Sequence, residues 1–212
     1  MTYRAVETLQ NVPMIAAEDT RHSRKLLSHY GISTPLISYF EHNRFTRIPK
    51  IIDHLNSGKD LAVITDAGTP GISDPAYKLV REALLHDITV ESIPGASASL
   101  AALVSSGLPT DRFLFEGFLP PKKGRKARIA RVENEQSTLI YYESPKSLQR
   151  TLKQLLEGLG NRPAVVAREL TKLYEEIKRG TLSELLTYFT THPPKGECVI
   201  LVGKDDPNVY FK

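Results

Sequence analysis

Apolar residues along this chain fall into two alternating patterns. Short continuous runs of three to six are separated by stretches in which apolar positions recur every three or four residues. The runs predict buried strands and the stretches predict amphipathic helices. Thr2 to Val12 reads as a helix, with Ala5, Val6, Leu9 and Val12 on one face. A short strand from Pro13 to Ala17 runs into Glu18, Asp19, Thr20 and Arg21, and a helix follows to about Tyr30, stopped by Gly31. Pro35 to Phe40 is the next strand, ending in Glu41, His42 and Asn43, with a helix from about Thr46 to Leu55. Leu61 to Thr65 then reads as a strand buried on both faces. It breaks abruptly at Asp66, Gly68, Thr69, Pro70 and Gly71 before a helix from Ala76 to Leu85, with Asp74 near its N-cap and Pro75 at its first position. A further strand, Ile88 to Ile93, ends in Pro94-Gly95-Ala96-Ser97-Ala98-Ser99 and opens a small-residue helix to about Ser106.

Strands and helices alternating at these lengths imply a largely parallel sheet covered on both faces. The pattern changes near Leu108. Strand-like runs at Phe113 to Phe118, Thr138 to Tyr142 and Ala164 to Arg168 follow, with helices at Lys126 to Asn134, Lys146 to Leu156 and Ser183 to Thr190 and a closing strand at Glu197 to Val202. The expected organisation is an N-terminal α/β domain over residues 1–109, a C-terminal α/β domain over 112–203, and a polar tail over 204–212.

The stretch 61–75, LAVITDAGTPGISDP, stands out within this pattern. A strand ending in a Gly-rich turn that opens a helix is where an open α/β sheet binds its ligand. Glycines there let a ligand approach the backbone, and a carboxylate can take a hydroxyl or a cation. An ordinary tight turn between strand and helix has the same look.

Composition narrows the class. Of the 212 residues 41% are hydrophobic, enough for a real core, and no apolar run approaches membrane-spanning length. No signal peptide precedes Met1, so a cytoplasmic protein is expected. The single cysteine, Cys198, excludes an internal disulfide and sits in the apolar run CVILV as core. The six histidines show no metal-ligand spacing, so no metal is expected. The net charge of +4 matters less than its distribution. Lys122, Lys123, Arg125, Lys126, Arg128 and Arg131 fall together without an acid, and Arg21, His22, Arg24 and Lys25 form a second group. Such clusters attract phosphate backbones, although a solvated helix face is the commoner outcome for either one alone.

Seven segments in order carry a resemblance: AAEDTR (16–21), DAGTPGISDP (66–75), PGASA (94–98), GLPTDRFLFEGFLP (107–120), YYES (141–144), ARELTK (167–172) and KGECVILV (195–202). Together they resemble the ribosomal RNA small-subunit methyltransferase I family of the tetrapyrrole methylase superfamily. The resemblance implies two α/β domains with S-adenosylmethionine in the cleft between them, usually in a homodimer. It implies 2′-O-methylation of a cytidine ribose in small-subunit (16S) ribosomal RNA, free or within the 30S subunit. By matching positions, Asp66, Gly68, Thr69, Ile72, Ser97 and Ala98 would line the cofactor pocket, with Tyr142, Ala167 and Glu197 from the second domain. Relatives of this family open with a strand and a Gly-containing turn ahead of the helix that here starts at Thr2. The expectation is therefore a shortened chain that binds S-adenosylmethionine more weakly than a longer form.

A ribose hydroxyl is a poor nucleophile, so a base or hydrogen-bond acceptor is expected beside it. Glu18, Asp19 and Arg21 are the catalytic candidates, with Glu143 as second choice; helix capping is an equal alternative for Asp19. Glu116 and Glu169 read as structural. His42 and Asn43 could touch RNA or cap a loop. Lys122, Lys123, Arg125, Lys126 and Arg128 are the candidate RNA-binding residues, contacting phosphates rather than bases. Methylation of a corrin or porphyrin precursor, and a non-catalytic fragment that binds RNA or only dimerises, are the alternative functions. Leu36, Ile37, Tyr39 and Phe40 put apolar groups on both faces of one strand, which needs cover from a partner subunit or from this chain's own helices.

Overall fold

The computed structural model describes residues 1–211, which form two compact units, Met1–Ser97 and a second from Ala98 onward. In the first unit the order is α1 (Tyr3–Asn11), β1 (Ile15–Ala17), α2 (Thr20–His29), β2 (Leu36–Ser38), α3 (Arg44–Asn56), β3 (Ala62–Ile64) and α4 (Ala76–Leu85). Thr2 caps α1, its hydroxyl accepting from the Ala5 amide at 3.2 Å. The three strands pair in parallel in the order β2-β1-β3, as short apolar runs joined through helices require.

Side chains alternate across this sheet. Ala16, Ile37 and Val63 join Ile51, Ile52, Leu79 and Ala83 of α3 and α4, while Ile15, Leu36, Ala62 and Ile64 join Leu9 of α1 and Leu27 of α2. Both faces are thus covered by this chain's own helices. That answers the question raised by β2, which lies at a sheet edge: Tyr39, just beyond it, is 3% exposed and its hydroxyl donates to the Pro75 carbonyl at 3.0 Å.

The strand expected at Ile88 to Ile93 does not form. A strand needs a neighbour for its ladder, and this segment pairs with no strand among the described residues. It is held instead by local contacts. The Ile88 amide donates to Ala83 at the end of α4, Glu91 pairs with Arg4 of α1, and the Thr2 hydroxyl donates to Pro94.

The second unit contains α5 (Ala98–Ser106), β4 (Phe113–Phe118), α6 (Arg125–Ala130), β5 (Thr138–Glu143), α7 (Leu148–Leu159), β6 (Pro163–Arg168), β7 (Glu176–Thr181), α8 (Leu182–Thr191) and β8 (Cys198–Val202). Its sheet is mixed, in the order β4-β5-β8-β6-β7, with β8 antiparallel to both neighbours. One face carries α6, α7 and α8 through a core that includes Tyr141, Leu152, Leu155, Leu185, Phe189 and Ile200. The other carries α5 through Ala102 and Leu103 against Ile140, Val165 and Leu201. The division between units therefore falls ahead of α5, not at the linker expected at 109–112. Apolar burial ties α5 to the second sheet, and the Arg179 guanidinium of β7 donates to the Ser105 and Ser106 carbonyls at its C-terminus. Strand β7 escaped the sequence reading because EIKRGT carries charge through its length. An edge strand paired on one side only tolerates that.

Cys198 lies at the start of β8 and is 2% exposed, and burial pushes its thiol up to about 12. The folded protein is expected to give no reaction with a thiol reagent at neutral pH, with full labelling after denaturation. Rapid native labelling would contradict this packing.

Candidate active site at the carboxyl ends of the first sheet

The register sets Ala17 opposite both Ser38 and Ile64, so the three parallel strands of the first unit end level with one another. The segments that leave these strands open at one edge, where ligands bind in doubly wound sheets. There the structure brings together Glu18 and Asp19, the segment Tyr39 to Asn43, and the turn Thr65 to Pro75. The Thr65 hydroxyl donates to the Glu18 carboxylate at 3.2 Å, and the Asp19 amide donates to the Asp66 carboxylate at 3.3 Å. Glu18 and Asp66 both remain exposed.

Asp19 caps α2, accepting from the Arg21 amide at 2.8 Å and the His22 amide at 3.3 Å. The Arg21 guanidinium first, then these two amides, hold its carboxyl below the usual carboxylate range. A base so stabilised in its charged form is weak, which leaves Glu18 as the freer carboxylate. The Arg21 side chain is 90% exposed. With Thr20, Arg24, Lys25 and Ser28 it lines an open recess of ≈ 480 Å³ along α2, which gathers three of the four members of the N-terminal basic group but not His22.

The turn itself is tightly specified. Gly68 and Gly71 have φ of 79° and 89°, a region that favours glycine, and Ser73 is held at 66°. Both Asp74 carboxylate oxygens accept from the Gly71 amide at 2.9 Å, and one accepts from the Ala76 amide at 2.8 Å. The Thr69 hydroxyl donates to the Ala96 carbonyl at 2.8 Å, joining the turn to the segment that leads to Ser97. Gly68 faces the same carbonyl with room for a Cβ at 3.8 Å, so its backbone is open to a ligand. Ile72 is 45% exposed and Ser97 half-buried. A cavity of only ≈ 10 Å³, lined by Glu18, Tyr39, Thr65 and Asp74 among others, lies between the strand ends and the turn.

Within the second unit Tyr142, Val199 and Ala167 lie opposite one another across β5, β8 and β6. Phe115 and Phe118 meet the Tyr142 ring edge-on, and its hydroxyl accepts from the Ser99 amide at 3.2 Å. Glu197 is exposed just ahead of β8, and its carbonyl accepts from the Glu169 amide. Ala98 is exposed at the start of α5.

The basic run of this unit divides in two. Lys122, Lys123 and Lys126 are exposed. Arg125 is 4% exposed, pairing with Glu143 at 3.1 Å and donating to Gln154 at 2.5 Å and to Thr151. Placing Arg125 among phosphate-contacting residues is therefore corrected, as its charge is spent inside the unit. Glu143, the second catalytic choice, is 7% exposed in the same network and is structural. Arg128 is half-buried against Glu116 at 2.5 Å, Glu169 pairs with Lys172 at 2.8 Å, and Asn43 clasps its own loop through Ser38 and Phe40. Sequence reasoning overlooked two exposed aromatics beside the site, Phe45 and Tyr77. The dipeptides Arg44-Phe45 and Tyr77-Lys78 were the available signal, an aromatic ring next to a cation at a helix start.

Parallel strands feeding a glycine turn flanked by exposed carboxylates mark the ligand-binding edge of an α/β protein, and comparison with known proteins gives the class. Residues 1–186 match the family described as Tetrapyrrole (Corrin/Porphyrin) Methylases. The chain is 52% identical over 206 residues to the ribosomal RNA small subunit methyltransferase I of Synechocystis sp., covering 96% of this chain and 74% of that one. It is 48% identical over 204 residues to the protein of that name from Streptococcus pyogenes serotype M1, covering 96% and 71%. A solved diphthine synthase shares the fold at 14% identity, with a TM-score of 0.74 over 96% of this chain and 84% of the other. The chain belongs to the tetrapyrrole methylase family, among the ribosomal RNA small subunit methyltransferase I proteins. It is a methyltransferase, and S-adenosylmethionine is its methyl donor. The open backbone at Gly68 and the exposed Asp66 carboxylate fit that donor, which carries amino, ribose hydroxyl and sulfonium groups.

Proposed function

We propose that this chain methylates the 2′-hydroxyl of a cytidine ribose in small-subunit ribosomal RNA, within a homodimer. The observation that carries the reading is the exposed Glu18 carboxylate beside the glycine turn, in a chain about half identical to relatives named for ribosomal RNA methylation. When bound, S-adenosylmethionine supplies an electrophilic methyl group. The protein's part is to position the donor and the hydroxyl and to take the hydroxyl proton. Asp66, Gly68, Thr69, Ile72 and Ser97 of the first unit are the proposed donor contacts. Glu18 is the proposed acceptor of the proton. Asp19 sets the start of α2 and, with it, the direction of Arg21 towards a phosphate. Lys122, Lys123 and Lys126 suit the RNA backbone, an electrostatic contact that weakens with salt.

Incubation with methyl-labelled S-adenosylmethionine and either 30S subunits or naked 16S RNA, followed by nucleoside analysis, tests this. Label is expected in a 2′-O-methylcytidine. Label passing to a corrin or porphyrin precursor, with none in RNA, would overturn the reading in favour of the family's other substrate class.

The turn gives a further expectation. Replacing Asp74 with Ala leaves the Gly71 and Ala76 amides without their acceptor and should weaken S-adenosylmethionine binding about ten-fold, since hydrogen bonds to a charged group contribute roughly 1.5–3 kcal/mol. Asn keeps one acceptor oxygen and should restore part of the loss. Calorimetric titration reads both variants, and unchanged affinity in Asp74→Ala would separate this turn from the donor.

A further inference from the structure

Phe45 and Tyr77 are 76% and 53% exposed, although both are large rings on rigid first turns of helices. Phe45 is the second residue of α3, after β2, and Tyr77 the second of α4, after β3, so both stand at the edge where the parallel strands end. The two helices pack together through Ile51, Ile52, Leu79 and Ala83. Asn43 clasps the turn before Phe45, and Asp74 clasps the turn before Tyr77. Neither ring is needed by the core.

Each ring carries a cation. The Arg44 guanidinium lies 4.6 Å from the Phe45 ring centre, and the Lys78 ammonium lies 4.9 Å from that of Tyr77. A hydrogen bond from Lys78, and the charges of Lys78, Arg81 and Arg44, hold the Tyr77 hydroxyl below its usual range. Arg44 also pairs with Glu41 and its side chain is only 19% exposed, so it braces the Phe45 ring, while Lys78 and Arg81 are the cations placed to meet phosphates. Cations with exposed aromatic faces suit unpaired nucleotides, whose bases stack on rings while their phosphates meet Lys and Arg. A duplex hides its base faces and gains nothing from such rings. The lysines at 122, 123 and 126 have no ring contact of this kind among the described residues, whereas each helix start here sets a cation over its own ring.

We propose that Phe45 and Tyr77, with Lys78 and Arg81, form a stacking platform for unpaired nucleotides flanking the modified residue of the RNA substrate. The proposal rests on the assignment of RNA as substrate and adds what that assignment leaves open, that the substrate is engaged as a locally single-stranded segment.

Fluorescence anisotropy with a labelled single-stranded oligoribonucleotide of about ten nucleotides, alone and annealed to its complement, tests it, since single-strand sites span roughly 4–16 nucleotides. Phe45→Ala and Tyr77→Ala should each weaken single-strand binding at least about five-fold, given about 1–3 kcal/mol per stacked base. Duplex affinity and the salt slope should stay unchanged in both. Lys78→Ala with Arg81→Ala should instead lower the single-strand salt slope by about 1.4 units, about 0.7 for each lost phosphate contact. Equal single-strand affinity in wild type and both ring variants overturns the platform. A fall in assembled mass on removing the rings, with RNA affinity retained, assigns the patch to a second copy of this chain and also overturns it. Both rings are exposed, so the variants should fold, and an unchanged circular dichroism melt verifies that. The outcomes also separate the two readings. Wild-type methylation of RNA with unaffected ring variants removes only the platform. Ring-dependent RNA binding without methyl transfer removes only the catalytic reading.

Discussion

Replacing Glu18 with Gln is expected to lower kcat for methyl transfer by roughly 10²-fold or more, the range over which a positioned base acts. Gln keeps the length of the side chain and an oxygen that can still accept from the Thr65 hydroxyl, now 3.2 Å from the carboxylate. The loop should therefore hold its shape, and donor affinity should stay near that of the wild type. Only the capacity to take a proton is lost. Asp19→Asn serves as the contrast. Asp19 is committed to the α2 cap and to Arg21, so its replacement should act mainly on stability. The sign of its pH dependence follows from the depressed carboxyl. The cap's contribution is fully present above the ordinary carboxylate range and is lost as pH falls through the lower folded value. Single-turnover rates with saturating RNA and donor decide the matter. If Glu18→Gln matches wild type while Asp19→Asn loses roughly 10²-fold, the roles are reversed.

Removing the Arg125 guanidinium should strongly destabilise the second unit. Arg125→Ala leaves Glu143 buried with donors from Thr151 and the Ser144 amide but without its counter-charge. Breaking a buried pair from one side costs about 3–5 kcal/mol, and the two surviving donors place this case near the lower end. Guanidinium unfolding followed by intrinsic tyrosine fluorescence should show an earlier transition for the second unit, and Glu143→Gln in the same chain should recover much of it. A loss below about 1 kcal/mol, the ordinary value for an exposed pair, would mean that water reaches this network. Lys122→Ala and Lys123→Ala, three and two residues away, should leave stability unaltered because both ammonium groups are already in water.

Those contrasts show where sequence reading reached its limit. Arg125, Lys126 and Arg128 look alike in a string of cations, and nothing local distinguishes the one that is buried. Its partners Glu143, Thr151 and Gln154 lie 18 to 29 residues further on and meet it only when α6 packs beside β5 and α7. Phe45 and Tyr77 present the converse case. Each sits in a helix start where an aromatic reads as core, and only the packing of α3 on α4 leaves them outside. Ile88 to Ile93 has strand composition, but a ladder needs a neighbour, and composition does not supply one. The charged β7 forms for the opposite reason, because β6 offers it a partner along its whole length.

The sequence alone determined the features set by local chemistry. The helix from Ala76 to Leu85, the strand from Phe113 to Phe118 and the apolar run through Cys198 follow from periodicity, and the turn at 66–75 follows from glycine and proline, whose backbone preferences travel with the residue. Seven ordered motifs determined the family for the same reason, since each records a turn or strand end that few residue types can build. Tertiary structure alone decided which charges are spent in the interior, which unit owns α5, and which rings remain at the rim of the first sheet. These are outcomes of non-local contact, in which a side chain's environment is made by residues far along the chain. Burial converts Arg125 into a strut, pairs Arg128 with Glu116, and leaves Lys122, Lys123 and Lys126 exposed.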